Sequence, residues 1–286
     1  MEPALTLARR LWQAIEPIHA MVYFHPAPTE AGAAIGLKGF WMGYFAGRFS
    51  PLGSIGPRPA MAMAYGFAPW MVERALPDAW RLASPEAVLS ARLSATVTAL
   101  GDTLPPGSAA AVDELGELLR TAATACRCDG RPLAAGWLAV EPGDHPLARL
   151  WVATAVLREH RADGHVIAAV GAGLRGLDAG ITHVATGAMP RATLQKSRGW
   201  TDAEWEEGVR RLQAQGLLDR DGRLTRSGGA LRKQIEDVTD RLAAAPIERL
   251  GQTGVERAIE LAVPLSRHLV DTGIFPVPNP IGAPRP

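Results

Sequence analysis

The sequence PRATLQKSRGWTDAEWEEGVRRLQAQGLLDRDGRLT occupies residues 190–225 and predicts two short helices separated by a tight turn. The first helix spans Arg191–Ser197 and the second spans Asp202–Gln215. Thr201 precedes the second helix, and a glutamate follows it three residues later. This spacing predicts a capping box, in which the two side chains satisfy free backbone amides. Gly216 is expected to end the helix because glycine readily adopts the left-handed conformation of a helix C-terminus.

The residues after this helix pair predict a β-hairpin and then a long helix. Leu217–Thr225 reads as two short strands around Asp221–Gly222, and an Asp-Gly pair is a strong hairpin signal. The long helix is expected over Arg226–Ala245. Helix, turn, helix, hairpin and long helix follow one another in the order of a winged helix-turn-helix unit.

Apolar residues spaced three and four apart predict helices over most of the remaining chain. These helices are expected at about residues 29–48, 68–82, 86–100, 109–126, 146–162, 165–186 and 255–272. Another apolar stripe near the N-terminus contains Pro17, which is expected to kink or restart its helix because proline lacks an amide hydrogen. The chain is therefore predicted to be mainly α-helical with a small β wing.

Composition limits the classes of function that remain. The chain has 286 residues, of which 47% are hydrophobic and 21% charged, and this composition is typical of a globular protein with a sizeable core. Its net charge of +1 gives no basic excess that would indicate a nucleic-acid partner. Two cysteines, Cys126 and Cys128, are too few for a disulfide framework, which favours a reducing cytoplasm. Neither a signal peptide nor an apolar run of 18 residues is found, so no membrane association is expected.

Short motifs recur in the two halves of the chain and predict an internal duplication. Gly36-Leu37-Lys38-Gly39 matches Gly173-Leu174-Arg175-Gly176, and Gly66-Phe67 matches Gly199-Trp200. A stretch rich in Gly and Pro separates the halves, and prolines crowd the C-terminus. The predicted organisation is two halves with a linker and a tail, at residues 1–127, 146–274, 128–145 and 275–286 respectively.

The segment from Leu212 to Thr225 resembles the MarR-like winged-helix proteins. Over nearly its full length the chain also resembles a helix-turn-helix family of actinobacteria, through Glu16–His19, Leu157–His165 and Asn279–Gly282. The resemblance implies two fused MarR-like halves, that is, a pseudo-dimer within one chain, with small ligands in clefts between the dimerisation helices and the winged domains. The first half has little room for a wing between Trp80 and Pro85, so it is expected to be degenerate.

The charge of the second helix disfavours DNA binding by the winged unit. A helix that enters the major groove usually exposes basic or amide side chains. Here residues 202–217 carry four acidic side chains and only two arginines, and the acidic ones lie in the N-terminal half. Under the alternative in which DNA is bound, the contacts are expected from Arg210, Arg220 and Arg223.

Histidines and carboxylates form the candidate ligand or metal site. The candidates in the first half are Glu16 and His19; those in the second half are Glu159, His160, Asp163 and His165. If a pseudo-twofold axis relates the halves, the two sets converge at their interface. Such groups hold a divalent metal, bind a ligand or act as acid and base, but buried His–carboxylate pairs also simply fix helix packing.

Aromatic residues Phe40, Trp41 and Tyr44 provide either a wall for a flat ligand or part of the core. The leading hypothesis is a protein that binds a small molecule or a metal in a pocket between the halves, acting as a pseudo-dimeric monomer or a homodimer. Whether the pocket also catalyses a reaction is left open by the residues. The alternative is a ligand-responsive, DNA-binding transcriptional regulator.

Overall fold

The computed structural model describes residues 2–276 and 278–286 and is mainly helical, as predicted. The helices are α1 (Glu2–Phe24), α2 (Pro26–Ala34), α3 (Gly39–Phe49), α4 (Pro57–Met63), α5 (Pro69–Ala75), α6 (Asp78–Leu82), α7 (Pro85–Thr103), α8 (Ala109–Ala123), α9 (Pro132–Leu138), α10 (Pro146–Gly171), α11 (Gly176–Val184), α12 (Arg191–Arg198), α13 (Asp202–Ala214), α14 (Arg226–Leu242) and α15 (Ala244–Asp271). A 3-10 turn follows α3 at Ser50–Leu52, and α15 has a kink at Gly251.

The helix-turn-helix pair forms where the sequence predicts it, as α12 and α13. Gly199 between the two helices has φ +74°, so the turn uses a conformation that favours glycine. The predicted capping box is confirmed. The backbone amide of Thr201 donates to Glu204 Oε2 at 2.9 Å, and the amide of Glu204 donates to Thr201 Oγ1 at 3.3 Å.

The predicted wing is smaller than a two-stranded hairpin. A single antiparallel bridge joins Leu218 to Leu224. Between them, Asp219 Oδ1 accepts hydrogen bonds from the backbone amides of Asp221 at 2.9 Å and Arg223 at 2.8 Å. The aspartate side chain thus satisfies backbone amides within residues 219–223, and the segment closes as a tight turn.

Two predicted long helices are each divided by the repeated Gly-Leu motif. Leu37 donates its amide to Gly32 O at 3.0 Å, and Leu174 donates to Ala169 O at 3.1 Å. Gly36 and Gly173 both have positive φ, so the two copies form the same kind of helix C-cap, with a buried leucine after each glycine. Pro17, in contrast, lies inside α1 without ending the helix.

The segment predicted as a linker, residues 128–145, contains the buried helix α9. Trp137 is 1% exposed and packs edge-on against Trp151, with ring centroids 5.3 Å apart. A Cβ atom at Gly136 would lie 2.7 Å from a methyl carbon of Leu52. The glycine that indicated a flexible connection therefore permits close helix packing instead.

The apolar side chains form two clusters of unequal size. The larger cluster joins α1–α10 with α15, and the smaller one joins the C-terminal end of α10 with α11–α14 around Trp205. Within the larger body α1 packs along α15, and α10 packs along α8. In the described ranges, 2–276 and 278–286, no helix has the length and apolarity needed to cross a bilayer.

Replacing Trp137 by alanine tests whether α9 is part of the core. We expect Trp137→Ala to lower the free energy of unfolding by about 3–5 kcal/mol, because it removes a fully buried indole. The matched control is Leu138→Ala, whose side chain is 40% exposed; it should cost less than about 1 kcal/mol. Urea unfolding measures both, and equal small losses would show that α9 is a dispensable connection.

Candidate functional site

A cavity of about 370 Å³ lies where the small module, α11–α14, meets the large body, α1–α10 and α15. Helices α1, α3 and α10 form one side, helices α11–α14 form the other, and the C-terminal tail contributes Pro280–Gly282. Its volume falls in the range of sites that hold small organic molecules. Charged and aromatic side chains from both parts of the chain line it.

A buried network of two arginines and two glutamates lines the body side. Arg158 donates two hydrogen bonds, from Nε to Glu16 Oε1 at 3.1 Å and from Nη1 to Glu159 Oε1 at 2.9 Å. Arg48 binds Glu159 through two hydrogen bonds, of 3.1 and 2.8 Å. Burial opposes ionisation of both acids, but the two arginines hold the pKa of Glu159 below its usual value. Glu16 has one arginine partner, Arg158, where Glu159 has two, and burial raises the pKa of Glu16.

A second ionic cluster joins the two sides of the cavity, between α10 and α14. Arg232 pairs with Glu236 at 3.0 Å, and Arg161 pairs with Asp240 at 2.6 Å. Next to them, His165 Nδ1 lies 3.1 Å from Thr239 Oγ1. Burial lowers the pKa of this imidazole to about 4, so it is neutral at pH 7. The sequence gives no sign of the α14 contribution, because Arg232, Glu236 and Asp240 are spaced four residues apart, as charges on an exposed helix face often are.

The structure brings some of the predicted site residues to the cavity and places others behind it. Glu16 and His165 line the cavity, and Glu159 lies behind Arg48 and Arg158. His19 lies deeper, stacked on Trp151 with ring centroids 5.3 Å apart.

His160 and Asp163 lie on the side of α10 that faces α9. Asp163 Oδ2 accepts a hydrogen bond from the amide of Ala134 at 3.0 Å, and His160 Nε2 contacts the guanidinium of Arg131. Burial, reinforced by Arg131, lowers the pKa of His160 to about 3. These two residues hold α9 against α10 and do not line the cavity described above.

Of the three aromatic residues predicted to form a wall, one lines the cavity. Tyr44 lines the cavity, whereas Trp41 packs against Phe67 and Phe40 is 41% exposed. Trp200 also lines the cavity; the sequence marks it as part of the repeated Gly199-Trp200 motif but not as a site residue. No three His, Cys, Asp or Glu side chains are grouped to hold a metal ion in the part of the chain that the structure describes.

The turn between α12 and α13 packs against the turn that precedes α5. Ala68 donates its amide to Arg198 O at 2.8 Å, and Trp70 Nε1 donates to Gly199 O at 2.8 Å. In the other direction, Trp200 Nε1 donates to Gly66 O at 2.9 Å. The N-termini of α5 and α13 are therefore neighbours, and the paired turns form one end of the cavity.

The C-terminal tail is an ordered part of the cavity lining. The amide group of Asn279, which is 3% exposed, exchanges two hydrogen bonds with the backbone of Ala283, at 2.8 and 2.9 Å. Pro280 O accepts a hydrogen bond from Arg198 Nη2 at 2.8 Å. The tail thus joins the turn of the helix-turn-helix pair to the cavity.

The arginines assigned to DNA under the alternative hypothesis lie away from the cavity. Arg210, Arg220 and Arg223 are exposed around a separate surface depression between α13 and the wing. Arg223 pairs with Asp221 at 3.4 Å. On the same side, Arg191 pairs with Glu206 at 2.6 Å, so part of its positive charge is neutralised.

Helix order and the α12–turn–α13 geometry define a helix-turn-helix scaffold. The chain belongs to the helix-turn-helix family whose model matches residues 8–276. No curated protein and no solved structure gives a significant match.

The position of His160 predicts a specific pH dependence of stability. Its pKa is lowered in the folded state, so between about pH 6.5 and 3 the unfolded chain binds a proton that the folded chain excludes. Stability is therefore lost as pH falls through this window, by at most about 1.4 kcal/mol per pH unit from this residue. Urea unfolding at pH 7 and pH 5 should show a smaller loss for His160→Gln than for the wild type. Equal losses would contradict the assignment.

Proposed function

We propose that this protein binds a small organic molecule in the cavity between its large body and its helix-turn-helix module. One observation carries the proposal. The three segments on which the full-length resemblance rests, 16–19, 157–165 and 279–282, all contribute to the same cavity. These segments are far apart in the chain, yet residues of all three line the one cavity. A shared ligand explains that convergence better than packing, because a packed junction would leave no space of this size.

The scaffold we propose is a fused pair of MarR-like units that works as one pseudo-dimeric chain. The matching helix caps at Gly36 and Gly173 support a duplication. The end helices of the two halves also pack against each other, α1 against α15 and α8 against α10, and this reciprocal packing supports the duplication further. Fusion lets the halves diverge, which accounts for a single asymmetric cavity. We do not extend the proposal to a bound metal, since His165 is held by Thr239 and the cavity carboxylates of Glu16 and Glu236 are held by arginines.

A neutral fluorescent probe, N-phenyl-1-naphthylamine, tests the binding proposal. The probe should gain fluorescence in the wild type and lose most of that gain in Ala162→Phe, whose new ring would fill the cavity from α10. Ala230→Phe on the exposed face of α14 is the matched control and should bind like the wild type.

Native mass spectrometry of the same samples gives the subunit number and any retained mass. A wild type that neither enhances the probe nor carries extra mass would overturn the proposal. Equal probe binding by Ala162→Phe would also do so, since the site would then lie elsewhere.

A ligand-responsive transcriptional regulator is the second candidate, favoured by the family and by the exposed Arg210, Arg220 and Arg223. Its geometry is unfavourable. Two recognition helices that read successive major grooves lie about 34 Å apart, whereas the turns before α5 and α13 are hydrogen-bonded to each other. The acidic residues at the start of α13 would also repel phosphates.

DNA binding should therefore be weak and independent of sequence. We expect selection from genomic fragments at about 0.15 M salt to enrich no motif. At low salt, the triple variant with glutamine at positions 210, 220 and 223 should reduce whatever binding is found. An enriched motif whose retention requires these arginines would make the regulator the correct function.

A further inference from the structure

Arg198 differs from the other arginines of the cavity because it has no acidic partner. The other four are paired with carboxylates, as Arg48–Glu159, Arg158–Glu16, Arg161–Asp240 and Arg232–Glu236. Arg198 donates to Pro280 O at 2.8 Å and to the hydroxyl of Ser197 at 3.5 Å. Among the side chains of residues 7–276 and 278–286, no carboxylate forms an ion pair with it. A positive charge without a counter-charge therefore faces the cavity.

The surroundings make this charge costly to keep. Burial lowers the pKa of Arg198, and the nearby positive charges of Arg48 and Arg158 lower it further. A guanidinium nevertheless stays protonated in proteins. The charge is therefore retained at a cost, which an anion at this position would offset.

Aromatic rings lie directly beside the charge. The guanidinium carbon of Arg198 is 4.5 Å from the centroid of the Phe67 ring. Trp200 and Tyr44 line the same cavity, and Trp12 lines it from α1. A flat apolar surface next to a fixed cation fits a ligand that has both a ring and an acidic group.

We propose that the cavity binds an organic anion in which a planar aromatic ring carries an acidic group, with Arg198 holding the charge. This inference rests on the proposed function and specifies its ligand class. The carbonyl of Pro280 already takes one guanidinium N–H, so the anion would use those that remain.

Two probes that differ by one acidic group test the inference. The anionic probe is 8-anilinonaphthalene-1-sulfonate, and the neutral one is N-phenyl-1-naphthylamine, which lacks the sulfonate. Fluorescence titration should give a dissociation constant at least about tenfold lower for the sulfonate, as expected for a charge-assisted hydrogen bond in a dry site. Ala162→Phe should abolish both signals, which shows that the cavity is the site.

Variants of Arg198 assign the preference to this residue. In Arg198→Met the sulfonate should bind about tenfold more weakly while the neutral probe is unchanged. Arg198→Lys keeps the charge and should restore part of the preference, which separates charge from loss of the Pro280 contact. Arg210→Met, at an exposed position outside the cavity, is the control and should leave both dissociation constants unchanged.

The outcomes separate the two proposals. Equal affinities for the two probes, both abolished by Ala162→Phe, would overturn the anion and leave the cavity as a binding site. A sulfonate preference that survives in Arg198→Met would overturn the role of Arg198. If neither probe binds the wild type, the inference and the proposed function fall together.

Discussion

The buried guanidinium of Arg158 is the constraint around which the cavity is built. It holds Glu16 of α1 and Glu159 of its own helix, and Glu159 in turn holds Arg48 of α3. Removing Arg158 would take away the arginine partner of Glu16, and removing Glu159 would take away the carboxylate that pairs with Arg48. An unpaired charge in the interior costs far more than an exposed ion pair gains. Helices α1, α3 and α10 are thereby fixed next to one another. Their arrangement leaves open the space that the small module faces.

The general architecture could be predicted from the sequence because it depends on local signals. Helical periodicity, the capping box at Thr201 and the Asp-Gly turn act within a few residues. Pro17 and Gly136 show where such signals fail. A proline is tolerated inside α1, and a glycine that suggested a linker permits contact with Leu52. Tertiary packing decides both cases, and one sequence does not reveal it.

The candidate site was predictable only in part, for a related reason. Glu16 could be found because it lies three residues before His19, and His165 because it lies in a short run of histidines and carboxylates. Arg198 is the last residue of α12 and Trp200 lies in the turn after it, where the sequence alone does not show whether a side chain is exposed or covered. Their role depends on the first half of the chain packing over that turn. The periodicity of His160 matched a site equally well, yet this residue faces α9.

The pairing of the two turns has an evolutionary consequence. Substitutions on the surface of α13 alter its charge one residue at a time and are readily reversed. Separating the turns would require breaking three hydrogen bonds together and withdrawing Trp70 and Trp200 from their partners. Such coupled changes pass through destabilised intermediates. The closed arrangement is therefore not readily undone by gradual surface change, since opening it requires several contacts to be lost at the same time.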